Sequence, residues 1–270
     1  ITNVIIGNSV ETIGESAFEG CTNMASVTIG DSVETIGEKA FYKCSSLVLL
    51  IIPDSVETIS EKAFQECTSL VLLIIGNLVE TIGNGAFRKC SRLASVTIPD
   101  SVTSIGDGAF YQCSSLASLT FGENSSLKTI GAAAFLLCSS LTSVKIPKSV
   151  TNIDGLFISD YNNSSPFPDN TQLTIQEGTQ LTYFPSINHY YTNGKLTLNN
   201  DFNTDNNLII NNNVLLGVTS KNITNITIPK TVTSISDHAF KGCKNLTSVE
   251  IPNLVTSIGD HAFYQCSRLA

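Results

Sequence analysis

Cys21 to Cys44 reads CTNMASVTIGDSVETIGEKAFYKC, and close copies of this segment recur along the chain. The eight cysteines are Cys21, Cys44, Cys67, Cys90, Cys113, Cys138, Cys243 and Cys266, with gaps of 23, 23, 23, 23, 25, 105 and 23. Disulfide frameworks show irregular gaps and zinc sites use close Cys pairs, so a fixed period marks an internal repeat. Phe18, Phe41, Phe64, Phe87, Phe110, Phe135, Phe240 and Phe263 each stand three residues before a Cys. Ile13, Ile36, Ile59, Ile82, Ile105, Ile130, Ile235 and Ile258 each stand five before a Phe. One 23-residue unit cannot bury so many apolar positions, but stacked units bury them against their copies. The Phe and Cys columns are therefore the expected structural core. The Cys residues are expected to be free buried thiols, because side chains that leave every coil in one direction do not converge into a bridge.

Within a unit, Val27-Thr28-Ile29 alternates apolar and polar as a short strand does. Gly30 or Pro (Pro53, Pro99) follows and ends it. Val33 and Ile36 lie on a return path. Gly37 aligns with Ser60, Ser236 and Asp154, so the position needs a small residue rather than a left-handed backbone. Ala40-Phe41-x-x-Cys44 has the spacing of a single helical or 3-10 turn.

The cysteine period fails between Phe135 and Phe240, yet the strand positions restore it. They fall at 4, 27, 50, 73, 96, 119, 144, 173, 196, 226 and 249. Leu173, Ile175, Leu181 and Phe184 repeat the internal spacing of Leu119, Phe121, Leu127 and Ile130. These positions predict one solenoid domain over residues 1–270, of about eleven coils. Residues 1–157 and 223–270 are regular, and 158–222 is degenerate with insertions. Two surface excursions are expected, one near Tyr161 to Asn170 and one from about Asn199 to Val218. In the second, Leu208-Ile209-Ile210 and Val214-Leu215-Leu216 flank Asn211-Asn212-Asn213 as a small hairpin. The chain starts and stops in mid-repeat, as a fragment of a longer repeat protein would.

The unit L-x2-V-x-I-P-x-S-V-x2-I-G-x2-A-F-x2-C-x2-L resembles the BspA-like, type 5 leucine-rich repeat. The resemblance covers roughly residues 1–157 and 223–270. It implies a curved, right-handed β/α leucine-rich-repeat solenoid with short parallel strands on the concave side. It also implies an extracellular or cell-surface location and adhesion to host matrix proteins or other cells. The family has no shared catalytic residues to carry over.

Composition narrows the function further. The 270 residues carry 15 Lys+Arg against 23 Asp+Glu, a net charge of −8, which opposes nucleic acid as a partner. No apolar run is long enough to insert directly into a membrane as a helix. No cofactor motif and no nucleophile–base–acid pattern occurs, so no catalytic residue is assigned.

Glu11, Glu34, Glu57 and Glu80 share one column, and Glu15, Glu38 and Glu61 another. They are weak calcium candidates, with Lys39 and Lys62 nearby to neutralise them. His238 and His261, each after an Asp (Asp237, Asp260), are read as solvent-exposed repeat residues rather than a metal pair. Sequons occur at Asn124, Asn162, Asn163, Asn222, Asn225 and Asn245 and bear on glycosylation only in a eukaryotic source.

The outward strand positions are mostly Ser and Thr, as at Ser26, Thr28, Ser95 and Thr97. Coils three and four present Leu49, Ile51, Leu72 and Ile74 instead, the candidate partner-binding patch. The leading expectation is a secreted or surface interaction protein whose partner is a protein, such as a matrix protein or another surface protein. The alternative is a structural repeat spacer. More remote is an enzyme with a site in the central insertions, where Tyr183, His189, Tyr190 and Tyr191 cluster.

Overall fold

A computed structural model describes residues 2–154, 167–168, 170–184, 196–198 and 202–270. The chain winds as a β-solenoid of about ten turns of roughly 23 residues, and eleven short strands stand in its first column. In the turn after Cys21, the strand Ser26–Thr28 points Val27 inward and Ser26 and Thr28 outward. A tight corner follows, with the Val33 N–H donating to the Gly30 carbonyl at 3.1 Å. A second strand, Thr35–Ile36, then buries Ile36. The return path expected from sequence is thus itself a strand.

Through most of the chain a strand pairs in parallel with its copy one period on, as in Val4↔Val27 and Ile36↔Ile59, and the first-side ladder breaks between Ser118–Phe121 and Ser143–Ile146. The first side forms a six-stranded sheet from Asn3–Ile5 to Ser118–Phe121, and the second a seven-stranded sheet from Thr12–Ile13 to Asn152–Ile153. Among the described residues, no helix is long and apolar enough to cross a membrane.

The third side corrects the expectation of a helical turn at Ala40-Phe41-x-x-Cys44. It consists of consecutive tight turns with Lys39 and Lys43 at φ of 53° and 60°. Ala40, Tyr42 and Cys44 donate their N–H groups three residues back, to Gly37, Lys39 and Phe41. Lys39, Phe41 and Lys43 donate instead to the next coil, to Glu61, Ala63 and Gln65 at 3.0, 2.7 and 2.8 Å. A helix would direct every N–H along its own axis. Alternate left-handed residues turn every second donor outward and stitch the coils together on this side. Gly37 is not one of these residues. A Cβ there would lie 2.8 Å from the Ile13 carbonyl oxygen of the preceding coil, so close approach of backbones is what keeps the position small.

The core is a set of stacked columns. Phe41, Phe64, Phe87, Phe110, Phe135 and Phe240 are fully buried, while Phe18 and Phe263 are half-buried against the core. Neighbouring rings lie nearly parallel with centroids 5.0–5.4 Å apart from Phe41 through Phe135. That separation of near-parallel rings is an offset stack.

All eight cysteines are free thiols. Cys44, Cys67, Cys90, Cys113, Cys138 and Cys266 each donate S–H to a Phe carbonyl of the preceding coil at 3.1–3.4 Å. Burial pushes the Cys44, Cys90 and Cys243 thiols up to about 12. Cys21 and Cys266 are only half-buried, which departs from the uniform burial expected of the column. In a thiol-reagent titration of the native protein near pH 7.5, Cys21 and Cys266 should react within hours. The other six should react only in denaturant, because the reactive thiolate is suppressed. Eight rapid reactions without denaturant would contradict this packing.

The central region keeps the register. Leu173 pairs with Val144 on one side and Leu196 on the other, and Leu173, Ile175, Leu181 and Phe184 are buried. Neither insertion is a plain surface excursion. From the first, Phe167 is fully buried and stacks on Phe135 at 5.3 Å, extending the ring column. Most of residues 161–170, with Asn162 and Asn163, lie outside the described residues.

The second contains the expected hairpin, Leu208–Asn211 with Val214–Val218. Asn211 belongs to the strand, and the turn is Asn212–Asn213 at φ of 48° and 62°, the left-handed pair that a type I′ turn requires. Both arms are largely buried, and Val214 and Leu215 pair in parallel with Ser234 and Ile235. The hairpin therefore joins Ser234–Ile235 and Ser257–Ile258 in a separate four-stranded sheet instead of standing clear of the coils. Seven apolar side chains, at 208–210, 214–216 and Val218, had too much surface to leave in water.

Candidate functional site

Leu49, Ile51, Leu72 and Ile74 meet on the outer face of the first-side sheet. Their strands pair over three residues, placing Leu49 beside Leu72 and Ile51 beside Ile74. Their exposures are 41%, 50%, 47% and 47%, far above those of core residues of the same type. Val48 and Val71 extend the patch at 48% and 38% exposure. The sequence reading missed these two. Their signal was the repeated segment Ser46–Ile52 and Ser69–Ile75, SLVLLII in both, where other coils place Ala, Thr or Gly at the third position.

The two apolar strands are fully paired with each other but joined to their neighbours at single positions, Ser26↔Leu49 and Leu72↔Ser95. Towards Ser26–Thr28 the ladder parts into an open groove of about 620 Å³. Leu49 and Ile51 form one wall and Ser26 and Thr28 the other, with Asp31 and Asp54 at the corner end.

The other candidates divide. Glu11, Glu34, Glu57 and Glu80 are exposed. Glu38 is 2.7 Å from Lys39, and Glu61 pairs with Lys62. The Lys39 ammonium, hydrogen-bonded to Glu38, holds that carboxyl below its ordinary range. Among the described residues, no group of three or more His, Cys, Asp or Glu is placed to hold a metal ion.

His238 departs from the solvent-exposed reading: it is buried at 6% exposure, while His261 is exposed. Its ring lies against that of His261 at 5.3 Å and 7°, because both occupy the left-handed position that turns one side chain over the next. Burial, then Lys241 and His261, lower the His238 imidazole from its usual range against the pull of Asp237 and Asp260.

Tyr183 is half-buried, and burial together with Asp237 and Asp154 raises its phenol, which favours the protonated form. His189, Tyr190 and Tyr191 lie outside the described residues. Of the remaining sequons, Asn124, Asn222 and Asn225 are exposed and Asn245 is half-buried.

No curated protein matches the chain. Among solved structures, a leucine-rich repeat protein from Bacteroides ovatus aligns over 100% of this chain and 77% of its own, with 22% identity and a TM-score of 0.51, which shows a shared fold. A leucine rich cell surface protein from Faecalibacterium prausnitzii aligns over 100% and 78% with 26% identity and a TM-score of 0.42. The pneumococcal vaccine antigen PcpA aligns over 99% and 49% with 17% identity and a TM-score of 0.36. The family model for the BspA type leucine-rich repeat region matches six copies, over residues 1–79, 72–177 and 209–270. With that repeat over most of its length and the stacked parallel coils it describes, the chain belongs to the BspA type leucine-rich repeat family.

Proposed function

We propose that the chain is a non-catalytic interaction module, working in a secreted or cell-surface protein, that adheres to a protein partner through the face carrying Leu49, Ile51, Leu72 and Ile74. The partner class is an extracellular-matrix protein or another surface protein. One observation carries this reading: Leu49, Ile51, Leu72 and Ile74, with Val48 and Val71 beside them, form a contiguous exposed apolar patch on a sheet face whose flanking coils place Ser26, Thr28, Ser95 and Thr97 there. A contiguous exposed apolar patch of this kind marks a contact surface. Family membership supports the extracellular setting.

The test replaces Leu49→Ser, Ile51→Thr, Leu72→Ser and Ile74→Thr together, copying what Ser26, Thr28, Ser95 and Thr97 already do in adjacent coils. Surface plasmon resonance against a panel of purified matrix proteins should show at least about a thirty-fold loss of affinity, with the thermal melt unchanged. Undiminished binding would remove the patch from the interface. The spacer reading is favoured by the Ser/Thr character of the remaining strand face. It would prevail if neither form bound any matrix protein.

A further inference from the structure

The groove beside the apolar patch is polarised, and its polarity specifies the partner more closely. This inference rests on the adhesive reading above and refines it. Leu49 and Ile51 present half-exposed hydrocarbon along one wall. Asp31 and Asp54 close the corner end, both exposed. The ion pairs Lys39–Glu38, Lys62–Glu61 and Lys89–Glu66 do not involve either aspartate, and among the described residues no cation is paired with Asp31 or Asp54. Three residues further along each coil, Glu34 and Glu57 add exposed negative charge. No basic residue lines the groove.

Lys and Arg side chains combine an aliphatic stem with a terminal cation, and they bury the first while keeping the second at a polar site. A wall of hydrocarbon leading to two exposed carboxylates is complementary to that shape. We propose that the groove receives a cationic, apolar stretch of the partner protein. A lysine or arginine lies with its stem along Leu49 and Ile51 and its charge at Asp31 and Asp54, while neighbouring apolar side chains cover Leu72 and Ile74. Complementary charge at the rim of an apolar contact selects among partners more than it adds raw affinity.

The experiment uses the full chain and three labelled synthetic peptides in fluorescence anisotropy. One is a leucine–valine block ending in four lysines, one the same block ending in four glutamates, and one a serine–glycine block ending in four lysines. The lysine-ended apolar peptide should bind about ten-fold more tightly than the glutamate-ended one, as two exposed charge pairs allow. The preference should shrink in 1 M salt.

The variant Asp31→Asn with Asp54→Asn should bind both apolar peptides about equally. It should fold normally, since Asp54 uses Oδ1 to accept the Asn77 N–H at 2.6 Å, a bond an amide oxygen preserves. Asn8 and Asn77 already occupy this column in the flanking coils.

Equal affinity of the unaltered chain for the two apolar peptides, with loss in the four-residue patch variant, would overturn the polarity and leave the adhesive patch standing. Binding of the serine–glycine peptide as tightly as the apolar one would overturn the hydrocarbon wall. Binding that survives in the patch variant, or no binding of any peptide, would overturn both readings.

Discussion

Phe87→Ala should lower the unfolding free energy by about 4 kcal/mol, since truncating a buried Phe costs about 3–5 kcal/mol. Phe87 is fully buried, with Phe64 on one side at 5.4 Å and Phe110 on the other at 5.2 Å. Its carbonyl accepts the Cys113 S–H at 3.2 Å, and its N–H donates to Ala109 at 2.8 Å. Truncation empties a space that backbone stitching on both sides keeps from collapsing, so the cavity contribution stays large. In a solenoid the loss falls on two neighbour interfaces at once. Phe18→Ala provides the internal comparison. Phe18 is half-buried and its ring stacks on Phe41 at 5.1 Å, so its truncation should cost about 1–2 kcal/mol. Urea titration followed by circular dichroism measures both. Equal losses would show that the ring column is not a cooperative stack.

The second large effect lies at the hairpin. Among the described residues the buried apolar side chains form two clusters. Ile209 and Leu216 belong to the cluster of the preceding coils, whereas Leu208, Ile210, Leu215 and Val218 belong to the one that follows. Successive side chains of a strand point to opposite faces, so Leu208, Ile209 and Ile210, and Val214, Leu215 and Leu216, alternate between the two clusters, while Val218 breaks the alternation. Asn211, 1% exposed, adds a polar tie through Nδ2 to the Thr179 carbonyl at 3.1 Å.

Ile209→Ala should cost about 3 kcal/mol, and Ile209→Ala with Leu216→Ala about 5 kcal/mol. The double variant should also unfold in two steps, since coupling between neighbouring units is what makes a repeat array melt as one. Hydrogen exchange would then show the coils after residue 208 opening before those ahead of residue 153. A single transition with a loss under about 1 kcal/mol would mean that the hairpin is an appendage.

The candidate site was only partly legible. Leu49, Ile51, Leu72 and Ile74 could be found because strand alternation assigns each a face. Val48 and Val71 precede the strands, where alternation gives no direction, and only the folded chain shows them exposed. Asp31 and Asp54 read as corner residues. Their place in a groove depends on the Ser26–Thr28 ladder parting from Leu49–Ile51, and that parting reflects how two unlike coils meet. The left-handed positions were hidden for a different reason. Lys39, Lys43, Lys62 and His238 occupy them, and none carries the glycine signal that a positive φ usually leaves.

By itself the sequence determined the period, the first strand column, the Phe and Cys core and the register through Leu173 and Leu196. In a solenoid each coil packs on a copy of itself, so a column's chemistry is already written in one repeat. The tertiary structure decided whatever depends on unlike coils meeting. Phe167 joins the ring stack six residues ahead of Leu173, where regular coils place their Phe nine ahead, so no spacing rule could name it. The hairpin became a shared wall because apolar faces lay open to it on both sides. The third side became left-handed turns because half of its N–H groups find their acceptors only in the next coil.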